Sequence, residues 1–127
     1  MSKVWLVTGS ASGLGREIAE AVLASGDRLL ATARDPQRVN DLVERYCEQV
    51  STAPLDVSDE AAAKAAVAKA VDVLGRLDVL VNNAGYGYTA PFEQVSSERF
   101  RALVETNFFS VVSRLCPCEL QLALGDR

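Results

Sequence analysis

Four short apolar runs of strand length, Val4–Thr8, Arg28–Ala33, Ser51–Leu55 and Asp78–Val81, constrain this chain most, because a helical pattern follows each of the first three. Leu14, Ile18, Ala21 and Val22 form one helical stripe, which stops at Ser25-Gly26, a C-cap signal. Val39, Leu42, Val43 and Tyr46 form the next, opened by Asp35 as N-cap and Pro36 at the first helical position. A third, Ala63, Ala66, Val67, Ala70, Val71 and Leu74, starts near Ser58 and ends at Gly75. Phe100, Leu103, Val104, Phe108 and Val111 form a fourth, capped by Ser96. Near-continuously apolar strands alternating with amphipathic helices predict a parallel sheet covered on both faces, a doubly wound α/β domain. At 127 residues, 49% hydrophobic and 24% charged, the chain has the composition of one ordered domain.

The first strand leads directly into Thr8-Gly9-Ser10-Ala11-Ser12-Gly13-Leu14-Gly15. Glycines at a strand-to-helix turn occur in many α/β proteins, and they also suit a nucleotide, whose phosphates sit on the N–H groups of the following helix. In the second reading Gly9 permits the tight turn, Gly13 the close approach of backbone to pyrophosphate, and Gly15 close packing of helix on strand. The spacing is Gly-x-x-x-Gly-x-Gly, one residue longer than the dinucleotide fingerprint Gly-x-Gly-x-x-Gly, and no Gly-Lys-Ser/Thr follows, which excludes a P-loop. Asn82-Asn83-Ala84-Gly85 follows the fourth strand. It is either a plain turn or part of a site at the topological switch point between strands 1 and 4.

In order and spacing, the glycine segment and Asn82-Asn83-Ala84-Gly85 resemble the cofactor-binding half of the short-chain dehydrogenase/reductase family, over Lys3 to about Val112. The resemblance implies a Rossmann-like sheet of strand order 3-2-1-4, incomplete because later strands are missing. It implies a dinucleotide on Thr8, Gly9, Ser12, Gly13, Leu14, Gly15 and Asn83, with Ala84 and Gly85 lining the cofactor's ribose and Asn82 stabilising the sheet. Asp56 is either a helix-entry acid or, by the resemblance, a partner of the adenine amino group with Val57 beside the ring. At the end of strand 2 an acid would favour NAD and an arginine NADP. Asp35 is accounted for as a cap, so Arg34, with Arg16 as a helper, points to NADP rather than NAD, the alternative being a solvated surface arginine. Asn107 interrupts the fourth stripe and is either a structural bridge or, by the resemblance, a family catalytic position whose backbone holds a proton-relay water.

The family's Tyr-x-x-x-Lys does not occur: Val50, Ala90 and Phe92 lie four positions after Tyr46, Tyr86 and Tyr88. Residues 1–112 therefore read as a partial NAD(P)-binding domain, and 113–127, with Pro117 breaking the expected helix, as a divergent tail; a shifted frame or premature stop is the expected origin. In that reading the chain is the NADP(H)-binding portion of an oxidoreductase acting on an unidentified carbonyl or secondary alcohol, without turnover of its own. The competing reading is a non-catalytic dinucleotide-binding module or degenerate fragment.

A net charge of −4 with no basic block argues against nucleic-acid or membrane-surface partners, and no leader or membrane-length apolar run is apparent, so the cytoplasm is expected. Cys116-Pro117-Cys118 has the wrong spacing for a metal pair, and the chain contains no histidine. Without a fifth strand, strand 4 becomes an edge, and Phe108, Phe109, Val111 and Val112 are expected to form an exposed apolar surface that promotes aggregation or homo-oligomerisation.

Overall fold

A computed structural model describes residues 2–56, 58–85 and 90–109. Val57, Tyr86, Tyr88, Val111, Val112 and the tail from 113, with Cys116, Pro117 and Cys118, lie outside the described residues. Strands β1 (Val4–Val7), β2 (Arg28–Ala33), β3 (Val50–Pro54) and β4 (Val79–Val81) pair in parallel in the order β3-β2-β1-β4. Helices α1 (Gly13–Ala24), α2 (Asn40–Tyr46) and α3 (Glu60–Leu74) form the crossovers, and α4 (Ser97–Val104) follows β4. This is the Rossmann-like arrangement expected, with β3 and β4 as edges among the described residues.

Side-chain alternation along each strand divides the core between the two faces. Val4, Leu6 and Leu30 pack with Ala63, Ala66 and Val67 of α3, whereas Val7, Leu29 and Ala31 pack with α1 and α2. Register Leu6↔Leu30 and Leu6↔Leu80 aligns the carboxyl ends of β1, β2 and β4. The loops that leave those ends therefore converge, which is what positions the candidate site.

The caps follow the sequence signals with two differences. Asp35 accepts from the Gln37 N–H and Ser96 from the Arg99 N–H, while Ser25 and Gly26 (φ +91°) close α1 and Gly75 (φ +90°) closes α3. Asp59, rather than Ser58, caps α3 by accepting from the Ala62 N–H. Pro36–Val39 is a separate 3-10 turn before α2.

Helix faces differ more. The α1 face on the sheet is Gly15, Ala19, Val22 and Leu23, so the expected stripe is one residue out of phase: Ala21 is exposed, and Leu14 is 66% exposed at the cleft. Gly15 and Ala19 are small, a signal that counting large apolar residues passes over. The expected fourth stripe also fails. Helix α4 buries none of its residues, Glu105–Phe109 continues it as a π-helical turn that shifts the phase, and Thr106 is the buried residue there.

Candidate functional site

The loop after β1 is held from below. Thr8 and Ser10 are wholly buried; the Ser10 hydroxyl donates to the Val7 carbonyl (2.7 Å) and its N–H to the Thr32 carbonyl (3.0 Å). Gly9 and Gly13 adopt left-handed φ values of +66° and +58°, where a side chain is strained. A Cβ built on Gly13 meets nothing within 4 Å, so that backbone is open to an approaching ligand. On Gly15 it would lie 2.1 Å from the Gly9 carbonyl oxygen and 2.3 Å from Asn83 Nδ2. The contact that demands glycine at 15 is thus with the loop and the β4 exit, not with a strand. Ser12, extended and at the N-cap position, gives α1 no side-chain cap, and the first turn carries no acid. Uncapped N–H groups beside an open glycine backbone are suited to an anion.

The β4 exit is tied to this loop through Thr8. Its Oγ1 accepts from the Asn83 and Ala84 N–H groups, each at 3.0 Å, and donates to the Val81 carbonyl at 3.3 Å. Asn83 Nδ2 donates to the carbonyls of Thr8 (3.2 Å) and Gly9 (3.4 Å). Asn83 therefore visibly ties the two strand ends, a role the sequence reading gave to Asn82. Asn107 Oδ1 lies 2.8 Å from where a Cβ on Gly85 would stand, so a larger residue there would have to push the Asn107 side chain aside. Asn107 itself is exposed, correcting the expectation of an amide on a buried face; the π turn directs Thr106 inward instead.

These elements enclose a cleft of about 930 Å³, within the range of ligand sites. Of the residues singled out from sequence, Gly9, Ser12, Leu14, Arg34, Asp56, Asn83, Ala84 and Gly85 line it. Thr8 lies beneath the floor, while Gly13, Gly15 and Asn107 are not among the lining residues. Residues missed from sequence include Arg38, Leu55, Ser58, Ala102 and Thr106. The one available signal was the spacing of four between Ala102 and Thr106; Arg34 and Arg38 share no helix, so their spacing carried none.

Two acids and two arginines set the charge at the β2 side. Asp56 Oδ1 accepts from the Ser58 hydroxyl (2.6 Å) and N–H (3.0 Å), which with the nearby Arg34 charge holds its carboxyl below the usual range. The helix-entry role is thereby present in a residue that also faces the cleft. Asp35 lines the wall with its carboxylate engaged as a cap. Arg34 and Arg38 are exposed. Arg16, expected as a helper, is bound by Asp41, Glu20 and the Arg38 carbonyl, and Asp41 is held anionic to lower pH by that guanidinium. No group of three or more His, Cys, Asp or Glu side chains among the described residues is placed to hold a metal. No helix among them is long and apolar enough to cross a membrane.

The family model for short chain dehydrogenases matches residues 3–116. Oxidoreductase BOA17 of Botryotinia fuckeliana is 44% identical over 113 residues, 88% of this chain and 41% of its own length. The chain spans under half the length of the curated relatives it matches first. The crystal structure of a short-chain dehydrogenase from Streptomyces avermitilis superposes with a TM-score of 0.91 at 39% identity, over 95% of this chain and 45% of that one. The 3-ketoacyl-(acyl-carrier-protein) reductase of Brucella melitensis complexed with NADH gives 0.88 at 30% identity, over 94% and 49%. A metagenomic short-chain oxidoreductase in complex with NADP gives 0.90 at 27%, over 100% and 60%.

Proposed function

The chain belongs to the short-chain dehydrogenase family, and from that premise we propose that residues 1–112 hold NADP(H) for an oxidoreductase that interconverts a carbonyl and a secondary alcohol. The observation that carries the cofactor choice is Arg34, the first residue past β2, exposed and lining the same cleft as the uncapped start of α1. When bound, the dinucleotide supplies or accepts hydride at its nicotinamide. The chain's own residues bind and orient it. The N–H groups at Ser12–Leu14 meet the pyrophosphate, and Gly13 leaves room for it. Arg34 pairs with the 2′-phosphate through charge-assisted hydrogen bonds. Asp56 and Val57 take the adenine, and Asn83, Ala84 and Gly85 the ribose side. Asn107, beside Gly85, is the proposed relay position.

These 127 residues hold no Tyr-x-x-x-Lys, so by themselves they are proposed to bind without turning over a carbonyl. A missing general acid alone costs about 10²–10⁴ in rate. Calorimetric titration with NADPH and NADH, beside a carbonyl-reduction assay, tests both parts. NADPH binding tighter than NADH, with no turnover, is the expected outcome. Arg34→Asp should weaken NADPH by about 10- to 100-fold, the range for hydrogen bonds to a charged group, and spare NADH. Equal loss for both cofactors would remove Arg34 as the 2′-phosphate partner.

A further inference from the structure

Arg16 joins two parts of the cleft wall without lining it. Its Nη1 donates to Asp41 Oδ1 at 3.1 Å and its Nη2 to Asp41 Oδ2, a two-pronged pair, and Nη1 lies 3.5 Å from the Arg38 carbonyl oxygen. One side chain, four-fifths buried, thus connects the first turn of α1 to the end of the 3-10 turn and the start of α2. Asp41 is half exposed, so the pair adds little to stability, at most about 1 kcal/mol. What a planar fork on a carboxylate does supply is geometry. With Arg16 so held, its Nη1 meets the carbonyl of Arg38, a residue that lines the cleft together with Arg34.

Charge balance gives Arg38 a task. Arg34, Arg38, Asp35 and Asp56 line this side of the cleft and sum to zero. Without Arg38 the corner would be net negative, whereas a phosphate monoester at neutral pH brings between one and two further negative charges. We propose that Arg38 is a second cation for the cofactor's 2′-phosphate, and that the Arg16–Asp41 pair is its positioning device. This inference rests on the NADP reading above: preference for the phosphorylated dinucleotide depends on an ion pair that touches neither cofactor nor phosphate.

The test is titration of the full 127-residue chain with NADPH and NADH at low salt, in wild type, Arg38→Gln, Arg38→Lys, Asp41→Asn and the double variant Arg38→Gln/Asp41→Asn. Arg38→Gln should weaken NADPH about tenfold and leave NADH within about twofold; Arg38→Lys should retain most of the NADPH affinity. Asp41→Asn should lower the NADPH preference about threefold when Arg38 is present and have no effect on it in the Arg38→Gln background, the coupling a double-mutant cycle measures. A merely structural role for Asp41 would move both cofactors together and overturn the positioning claim. An unchanged preference in Arg38→Gln would overturn the inference while leaving the NADP reading intact. A wild-type chain that binds both cofactors equally, or neither, would overturn that reading and the inference with it.

Discussion

The two walls of the cleft are built to different standards. On one side, Thr8, Ser10 and Thr32 are buried and bonded, and α1 packs Ala19, Val22 and Leu23 into the core and Gly15 against the loop after β1. On the other, α4 buries nothing, and Phe100, Phe108 and Phe109 stand half exposed. The first wall draws its geometry from hydrogen bonds between residues up to 76 positions apart. The second, among the described residues, has one buried side chain, Thr106, to hold it. Stability is accordingly concentrated where the phosphates are proposed to sit, and α4 should open and close independently of that core.

The strongest way to break this contrast is Gly15→Val. Its side chain would have to displace the Gly9 carbonyl, a backbone atom, and Asn83 Nδ2 with it. Overpacking of this kind costs about 1–3 kcal/mol or more, so urea unfolding should show a large loss and dinucleotide titration no binding. An unchanged midpoint would mean the wall is not rigid. Thr8→Val comes next. It keeps the shape but removes the acceptor of the Ala84 N–H, at about 1–3 kcal/mol for an unsatisfied donor, and leaves the Asn83 N–H only its bond to the Val81 carbonyl. Native-state hydrogen exchange should show those amides losing protection while α4 amides are unaffected.

A smaller effect is expected from acid at the far end of β1. Asp27 accepts from the Lys3 N–H and from Trp5 Nε1, both at 2.9 Å, and the Lys3 bond is the larger cause of its lowered pKa. A carboxyl lowered in the folded state stabilises above the ordinary value near pH 4, and that contribution is lost as pH falls through the folded value. The wild-type advantage over Asp27→Asn in urea midpoint should be full at pH 7 and shrink toward pH 3; a constant gap would show the carboxylate charge is irrelevant. Smallest of all in stability should be Phe100→Ser and Phe108→Ser, within about 0.5 kcal/mol, because neither ring is packed in the core. Their effect should appear in sedimentation instead, where the wild-type chain is expected to self-associate at micromolar concentration and the double variant to do so less. A monodisperse wild-type monomer would contradict the expected role of this surface.

Legibility followed the type of signal. Strand β2 was readable to its end residues because Leu29–Ala33, five apolar or β-branched residues in a row, is of strand length and bounded by polar residues. The Asp35-Pro36 start, the Gly75 stop and the Ser96 cap were readable because each is a local chemical requirement. The α1 face was read one residue out of phase, since two of its four buried positions are Gly15 and Ala19, which hydrophobic periodicity undercounts. The inward turn of Thr106 in place of Asn107 was hidden because a π turn changes the helical phase without a sequence marker. Of the candidate site, Gly9, Ser12, Asn83, Ala84 and Gly85 on the two turns line one cleft, while Arg38 passed unnoticed in a stretch read only as the start of a helix.

By itself the sequence determined the alternation of strands and helices, the glycine turn after β1, the arginine after β2 and the family resemblance, because each is set by neighbours within a few residues. Only the tertiary structure decided that Thr8 supports the floor instead of lining it, that Asn83 clamps two strand ends, and that Arg16 is paired with Asp41 while Arg38 stands at the wall. Those outcomes depend on which groups meet across 22 to 76 residues of chain, and local propensity carries no information about distances that the parallel sheet alone establishes.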